Sequence, residues 1–199
     1  MLLTTGQAAN ELGCAVTTFR RLVHAELLPG LDNRGNRVMV PWDVVQQLRE
    51  RPAAPLHRLK AQEVAVLRVN VAQPVQEATR QWIGFSAALG PDDLLKALQG
   101  WWRCDPASVA AGGVLPVTLS GYVVAVLTGL QAWENEGGRY RFPEAVLAGY
   151  VTDLVGPGKH LTACEAGDRT AAELLLGTRL ASHSGGALAY VPTGSPTTS

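Results

Sequence analysis

Two helix patterns separated by a very short joint constrain this chain most. Leu3-Thr4-Thr5-Gly6-Gln7-Ala8-Ala9-Asn10-Glu11-Leu12-Gly13 reads as a short capped helix closed by a glycine, and within three residues Val16-Thr17-Thr18-Phe19-Arg20-Arg21-Leu22-Val23-His24 opens a second. Two short helices joined by a turn of three to four residues form a helix-turn-helix. The second pattern stops at Leu28-Pro29-Gly30, and from Leu31 to Val40 polar turn residues lie between flanks able to pair as a hairpin, or wing. Pro41-Trp42-Asp43-Val44-Val45-Gln46-Gln47-Leu48 then places proline at a helix start and apolar residues at helical spacing.

The 199 residues are net neutral, but the charge is unevenly placed: residues 1–60 carry eight basic and five acidic side chains, and the remainder carries nine and twelve. The excess of three positive charges falls on the half with the paired helices, a modest reserve for contacting phosphates. Cys14, Cys104 and Cys164 are dispersed and odd in number, which argues against a disulfide scaffold or a structural zinc site. No basic leader precedes an apolar core and no apolar run reaches the ~18 residues of a membrane span, so an intracellular, cytoplasmic and nucleoid-associated protein without membrane partners is expected.

Arg51-Pro52-Ala53-Ala54-Pro55-Leu56 sets two prolines close together, stopping the third helix and favouring an extended connector. The expected organisation is a DNA-binding unit over 1–52, a linker over 53–60, an oligomerisation, partner or ligand domain over 61–181, and a mostly mobile tail over 182–199 with room for a short strand at 187–191. In the second unit, Leu67, Val69 and Val71 alternate with Arg68 and Asn70 as in a half-buried strand. Asp92 to Leu98, after Gly90-Pro91, reads as a helix, as does Arg169 to Leu180. Val114 to Leu119, Tyr122 to Thr128 and Arg139 to Phe142 are β-rich and separated by Ser120-Gly121 and Glu134-Asn135-Glu136-Gly137-Gly138, the pattern of an antiparallel meander. The fold class expected is α+β, a winged helix-turn-helix followed by a small mixed domain.

In a helix-turn-helix the second helix enters the major groove, making Thr17, Thr18, Arg20, Arg21 and His24 the candidates for base and phosphate contact. Helical spacing turns Phe19, Leu22 and Val23 towards the first helix and leaves Thr17, Thr18, Arg21 and Arg20 outward. On the wing Arg34, Asn36 and Arg37 would reach a phosphate or the minor groove around a turn that Gly35 permits. The competing reading is a solvated face on a protein-binding helical domain.

These residues carry a resemblance. A Leu-Thr-Thr opening, Gly6-Gln7-Ala8-Ala9, Leu12-Gly13, a Thr17-x-x-Arg20-Arg21-Leu22 helix, a wing centred on Gly35 and the Trp42-Asp43 pair make residues 2–50 similar to the excisionase and MerR-type winged-helix family. That resemblance implies double-stranded DNA binding by Thr17, Thr18, Arg20, Arg21, Arg34 and Arg37, usually as a homodimer or a cooperative array. The chain departs from it at Cys14-Ala15-Val16 in the turn, and in lacking the long coiled-coil helix through which MerR regulators dimerise. Gly100-Trp101-Trp102-Arg103 and the β-rich stretch that follows resemble a bacterial family with a Gly-Trp-Trp-Arg signature and no assigned activity, which implies an α+β fold. Trp101 and Trp102 can stack on a base or ligand ring with Arg103 beside them, or fill the core.

Signs of catalysis are few. Gly156-Pro157-Gly158-Lys159-His160 lacks the glycine spacing and following hydroxyl of a phosphate-binding loop and reads as a turn. His24, His57, His160 and His183 stand apart without metal-ligand spacing. The expectation is therefore a non-enzymatic duplex-DNA-binding protein without cofactor or metal, most simply a dimeric transcriptional regulator. The alternatives are an architectural protein of excisionase or nucleoid type, or a second domain that is an enzyme or a reader of modified nucleic acid.

Overall fold

A computed structural model describes residues 1–156 and 158–194 and shows a mixed α+β fold, with six helices among the described residues. The chain begins with strand β1 (Leu2–Thr4), at positions the sequence assigns to the first helix. Leu3 pairs with Val40, and Thr4 serves both as the strand's last residue and as the cap of helix α1 (Thr5–Glu11). The Gln7 amide donates to Thr4 Oγ1 at 3.2 Å while the Thr4 amide donates to Gln7 Oε1 at 2.9 Å, a reciprocal box that satisfies two helix-end donors. The turn after α1 is closed by Gly13 N–H to Asn10 O and Cys14 N–H to Ala9 O, both 3.0 Å. Helix α2 (Val16–His24) then buries Phe19 and Leu22. Arg21 and His24 in its last turn favour the negative end of the helix dipole.

Strands β2 (Asp32–Arg34) and β3 (Arg37–Pro41) form a hairpin, with β3 between β1 and β2. Its two-residue turn has Gly35 at φ +60°, a left-handed conformation that costs glycine nothing. Helix α3 (Trp42–Glu50) buries Val44, Val45 and Leu48 and stops before Pro52.

The residues between 52 and 60 are tied down. Arg179 N–H donates to Pro52 O and Ala54 N–H to Arg179 O, both at 2.8 Å, and a single 3-10 turn follows at Leu56–Arg58. The apolar core runs without a break from the first fifty residues into the rest. Leu154 N–H donates to Leu27 O, Ala87 N–H to Ala25 O, and the buried Tyr122 hydroxyl to Leu48 O at 3.2 Å.

The remaining architecture centres on a six-stranded sheet. It contains β4 (Glu63–Arg68), β7 (Leu115–Leu119), β8 (Tyr122–Thr128), β11 (Val146–Val151), β12 (Lys159–Leu161) and β13 (Leu188–Pro192), in the order β12-β11-β8-β7-β4-β13. Every neighbouring pair is antiparallel except β4 and β7. Parallel neighbours need a long crossover. Here it holds β5 (Gln73–Pro74), β6 (Trp82–Ile83), α4 (Pro91–Leu98) and α5 (Pro106–Gly112). Helix α6 (Ala166–Leu175) packs on β8 and β11.

Four sequence expectations are corrected. The first strand of the second unit, β4, lies at Glu63–Arg68, ahead of most of the alternating stretch expected to form it, and its Val64 to Leu67 are buried in succession with α5 on it. The alternation itself holds, with Arg68 and Asn70 exposed and Leu67, Val69 and Val71 not. Glu134 to Glu136, expected as a turn, is strand β9, paired with β10 (Arg139–Arg141) around Gly137-Gly138. That ribbon stands outside the large sheet, and the third strand of the meander is β11, a segment to which the sequence pattern assigns no element. Helix α6 ends five residues before Leu180, where Gly177 at φ +74° turns the chain towards its contacts with β8. The strand allowed for at 187–191 is present as β13, paired with β4 over five residues. Of the segments with a sequence expectation, Pro157 and residues 195–199 lie outside the described residues; Lys159 and His160, expected within the turn that starts at Gly156, belong instead to strand β12 (Lys159–Leu161).

Candidate nucleic-acid interface

Helix α2 has one outward stripe. Thr17, Arg20, Arg21 and His24, at spacings of three and four, are all exposed, as one face of a 3.6-residue period requires. Thr18 is half-buried instead, because this flank of the helix turns to the sheet, where its carbonyl accepts the Ser120 hydroxyl at 2.8 Å. Arg20 and Arg21 take part in no salt bridge among the described residues. Their guanidinium groups present fixed forks of donors.

On the hairpin, Arg34, Asn36 and Arg37 are exposed, and the two arginines are cross-strand partners beside the turn. Like charges placed directly opposite destabilise a hairpin by a few tenths of a kcal/mol or more. Asp32 relieves part of that, its carboxylate accepting from Arg34 Nε at 3.0 Å. With the Arg34 and Asp32 side chains 65% and 49% exposed, the pair is well solvated and weakly held.

Arg21 and His24 also border a cleft of about 700 Å³ that Trp101 and Trp102 line as well. Residues distant in sequence are thus brought together, whereas Arg103 is exposed and does not line this cleft. Neither tryptophan is fully buried. The Arg141 guanidinium lies 5.2 Å from the centre of the Trp101 ring, and Trp102 packs against the buried Phe142 with ring centres 6.0 Å apart.

Three cleft residues are not site candidates on the sequence alone. Arg68 reads there as one of the polar positions between core residues, yet it ends β4 at the cleft and donates to Ser184 O at 2.8 Å. Asn70 reads the same way and lines the wall. Arg80 has no sequence signal: it is fixed by Glu77 at 2.7 Å and by Gln99 O at 2.7 Å, and its hydrogen bonds to the Glu77 carboxyl hold that group below its usual range. Gly84 closes this wall at φ +101°; a Cβ there would sit 2.6 Å from Asn70 O, so the backbone can approach this closely only without a side chain.

Cys14 and Cys104 are poor nucleophiles in this setting. Burial raises the Cys14 thiol, and burial together with the Asp105 carboxylate pushes Cys104 up to about 11. No group of three His, Cys, Asp or Glu side chains is arranged to hold a metal among the described residues, and no described helix is long and apolar enough to cross a membrane. Comparison with protein-family models, with curated proteins and with solved structures finds no match to this chain.

Proposed function

We propose that residues 2–50 are a winged helix-turn-helix that binds double-stranded DNA, with α2 in the major groove and the β2-β3 hairpin as the wing, and that the protein is a transcriptional regulator. The observation that carries this reading is the exposed stripe of Thr17, Arg20, Arg21 and His24, with no carboxylate bonded to either arginine among the described residues. Arginine can bridge guanine O6 and N7 or clamp a phosphate, and threonine can contact either. The cross-strand Arg34 and Arg37 add a second cationic point whose mutual repulsion a phosphate would relieve. A single module of this size makes few phosphate contacts, so two copies acting together, as a homodimer, belong to the proposal. The sheet ends at β13, whose outer side has no strand partner among the described residues and is open to a second copy.

Selection of bound sequences from a random duplex library, followed by footprinting, tests the reading. A regulator enriches one short motif and protects a discrete site. An architectural protein gives long cooperative footprints with weak sequence preference. No retention of duplex at low salt would end the proposal.

A further inference from the structure

The cleft beside α2 adjoins a second hollow of about 620 Å³, and Arg21, Arg68 and Asn70 line both. Among the described residues no Asp or Glu borders either hollow, although the chain has seventeen acidic residues. Arg21 has no carboxylate partner among the described residues, and Arg68 commits one guanidinium nitrogen to a carbonyl and has the others left. Positive charge without counter-charge is therefore concentrated where the two hollows meet.

Apart from these shared residues the two linings differ. The first holds the two partly exposed indoles and Ile83, an isoleucine 42% exposed. Trp101 lines both this cleft and a small hollow that Arg141 also borders, and the Arg141 guanidinium stands over its ring. The second is lined by the Ser182-to-Ala187 loop, rich in serine and glycine, with His183. The geometry points to a nucleoside phosphate as the ligand: its flat base lies against the tryptophan end, its first phosphate meets Arg21 and Arg68, and further phosphates run along the loop. Arginine forks match phosphate oxygens, aromatic faces accept a planar ring, and the volume suits a ligand of this size. An intact duplex would satisfy only half of this arrangement, since its bases are stacked and offer the indoles no free face.

Arg21 lies on both the outward stripe of α2 and the wall of the cleft. If the duplex reading above holds, a nucleotide that engages Arg21 competes with DNA for it, and the two ligands weaken each other by the same factor. The cleft is then the sensing site of the regulator.

Titration calorimetry of the full-length chain with magnesium-free ATP tests the assignment, with adenosine and tripolyphosphate as the two halves of the ligand. ATP should bind at one site, each half about tenfold or more weaker, and Arg21→Ala and Trp101→Leu should each weaken ATP about tenfold. Ile83→Glu keeps both indoles and places a carboxylate at an exposed position in the cleft; it should weaken ATP to a similar degree, and circular dichroism reports whether each variant is folded. Absence of ATP binding, or binding indifferent to all three substitutions, overturns the site. A twelve-residue single-stranded oligothymidylate that binds more tightly than ATP and loses affinity in the same variants overturns it as well, in favour of a strand. For the coupling, saturating ATP should weaken duplex binding about tenfold in the wild type and leave it unchanged in Trp101→Leu, which controls for ionic strength. ATP binding without any duplex binding defeats the duplex reading alone, and duplex binding indifferent to ATP defeats the coupling.

Discussion

The outer face of α2 and the tip of the β2-β3 hairpin both present two arginines to solvent, but they hold them differently. On α2, Arg20 and Arg21 are adjacent in sequence and without a carboxylate partner among the described residues, on a helix whose other side is buried and pinned to the sheet through Ser120. At the hairpin, Arg34 and Arg37 face each other across a turn and one of them is already engaged by Asp32. The first surface is uncompensated; the second is small and half neutralised. In charge-dependent binding the first should dominate, because an unpaired cation loses less on engaging an anion than one that must first leave a partner.

Three measurements put that contrast at risk, and one more tests the cleft that α2 borders. Reversing the charge on α2 should have the largest effect: Arg21→Glu should lower duplex affinity about 100-fold while leaving the circular dichroism spectrum unchanged, since the side chain is exposed. A loss of only a few-fold would remove α2 from the interface. Gly84→Ala addresses the wall of the cleft; with Asn70 O 2.6 Å from the new Cβ and φ at +101°, it should cost about 2 kcal/mol or more in denaturant unfolding. Wild-type stability in that variant would show that the wall yields.

Next in size is the hairpin. Arg37→Ala should weaken all duplexes several-fold and flatten the dependence of log K on log salt by about one unit, with a smaller change for Arg34→Ala because Asp32 already offsets that charge. Equal effects would mean that the Arg34–Asp32 pair opens without cost. The smallest expected change is a gain: Asp32→Asn should raise duplex affinity about two- to threefold at low salt, an advantage that fades as salt screens it. A loss of affinity would show that Asp32 positions Arg34 and does not merely neutralise it.

Legibility in the sequence follows the range of the forces involved. Thr4 with Gln7, Gly13, Gly35 and the spacing of Phe19 and Leu22 act within a few residues, and the elements they specify are present, apart from the leading β1 strand. The meander that starts at Leu115 departs from expectation in another way. Strands β7 and β8 pair as expected, yet the third strand is β11, because Arg139–Arg141 finds its partner in Glu134–Glu136 across two glycines and Val146–Val151 lies further on. Nothing local in either segment says which will join the larger sheet. For the site, Thr17, Arg20, Arg21, His24, Arg34, Asn36 and Arg37 are legible as exposed positions from periodicity and turn chemistry.

Local signals alone specify the three amino-terminal helices, the hairpin and the uneven charge, since caps, glycine turns and helical period are properties of neighbouring residues. Long-range packing settles the rest: β4 runs parallel to β7 and is covered on both faces, the first fifty residues share one core with the remainder, and Arg21 and His24 come to line one cleft with Arg68, Trp101 and Trp102. Those outcomes depend on which distant surfaces exclude water together and on closing long loops to bring them there, and no short stretch of sequence encodes either.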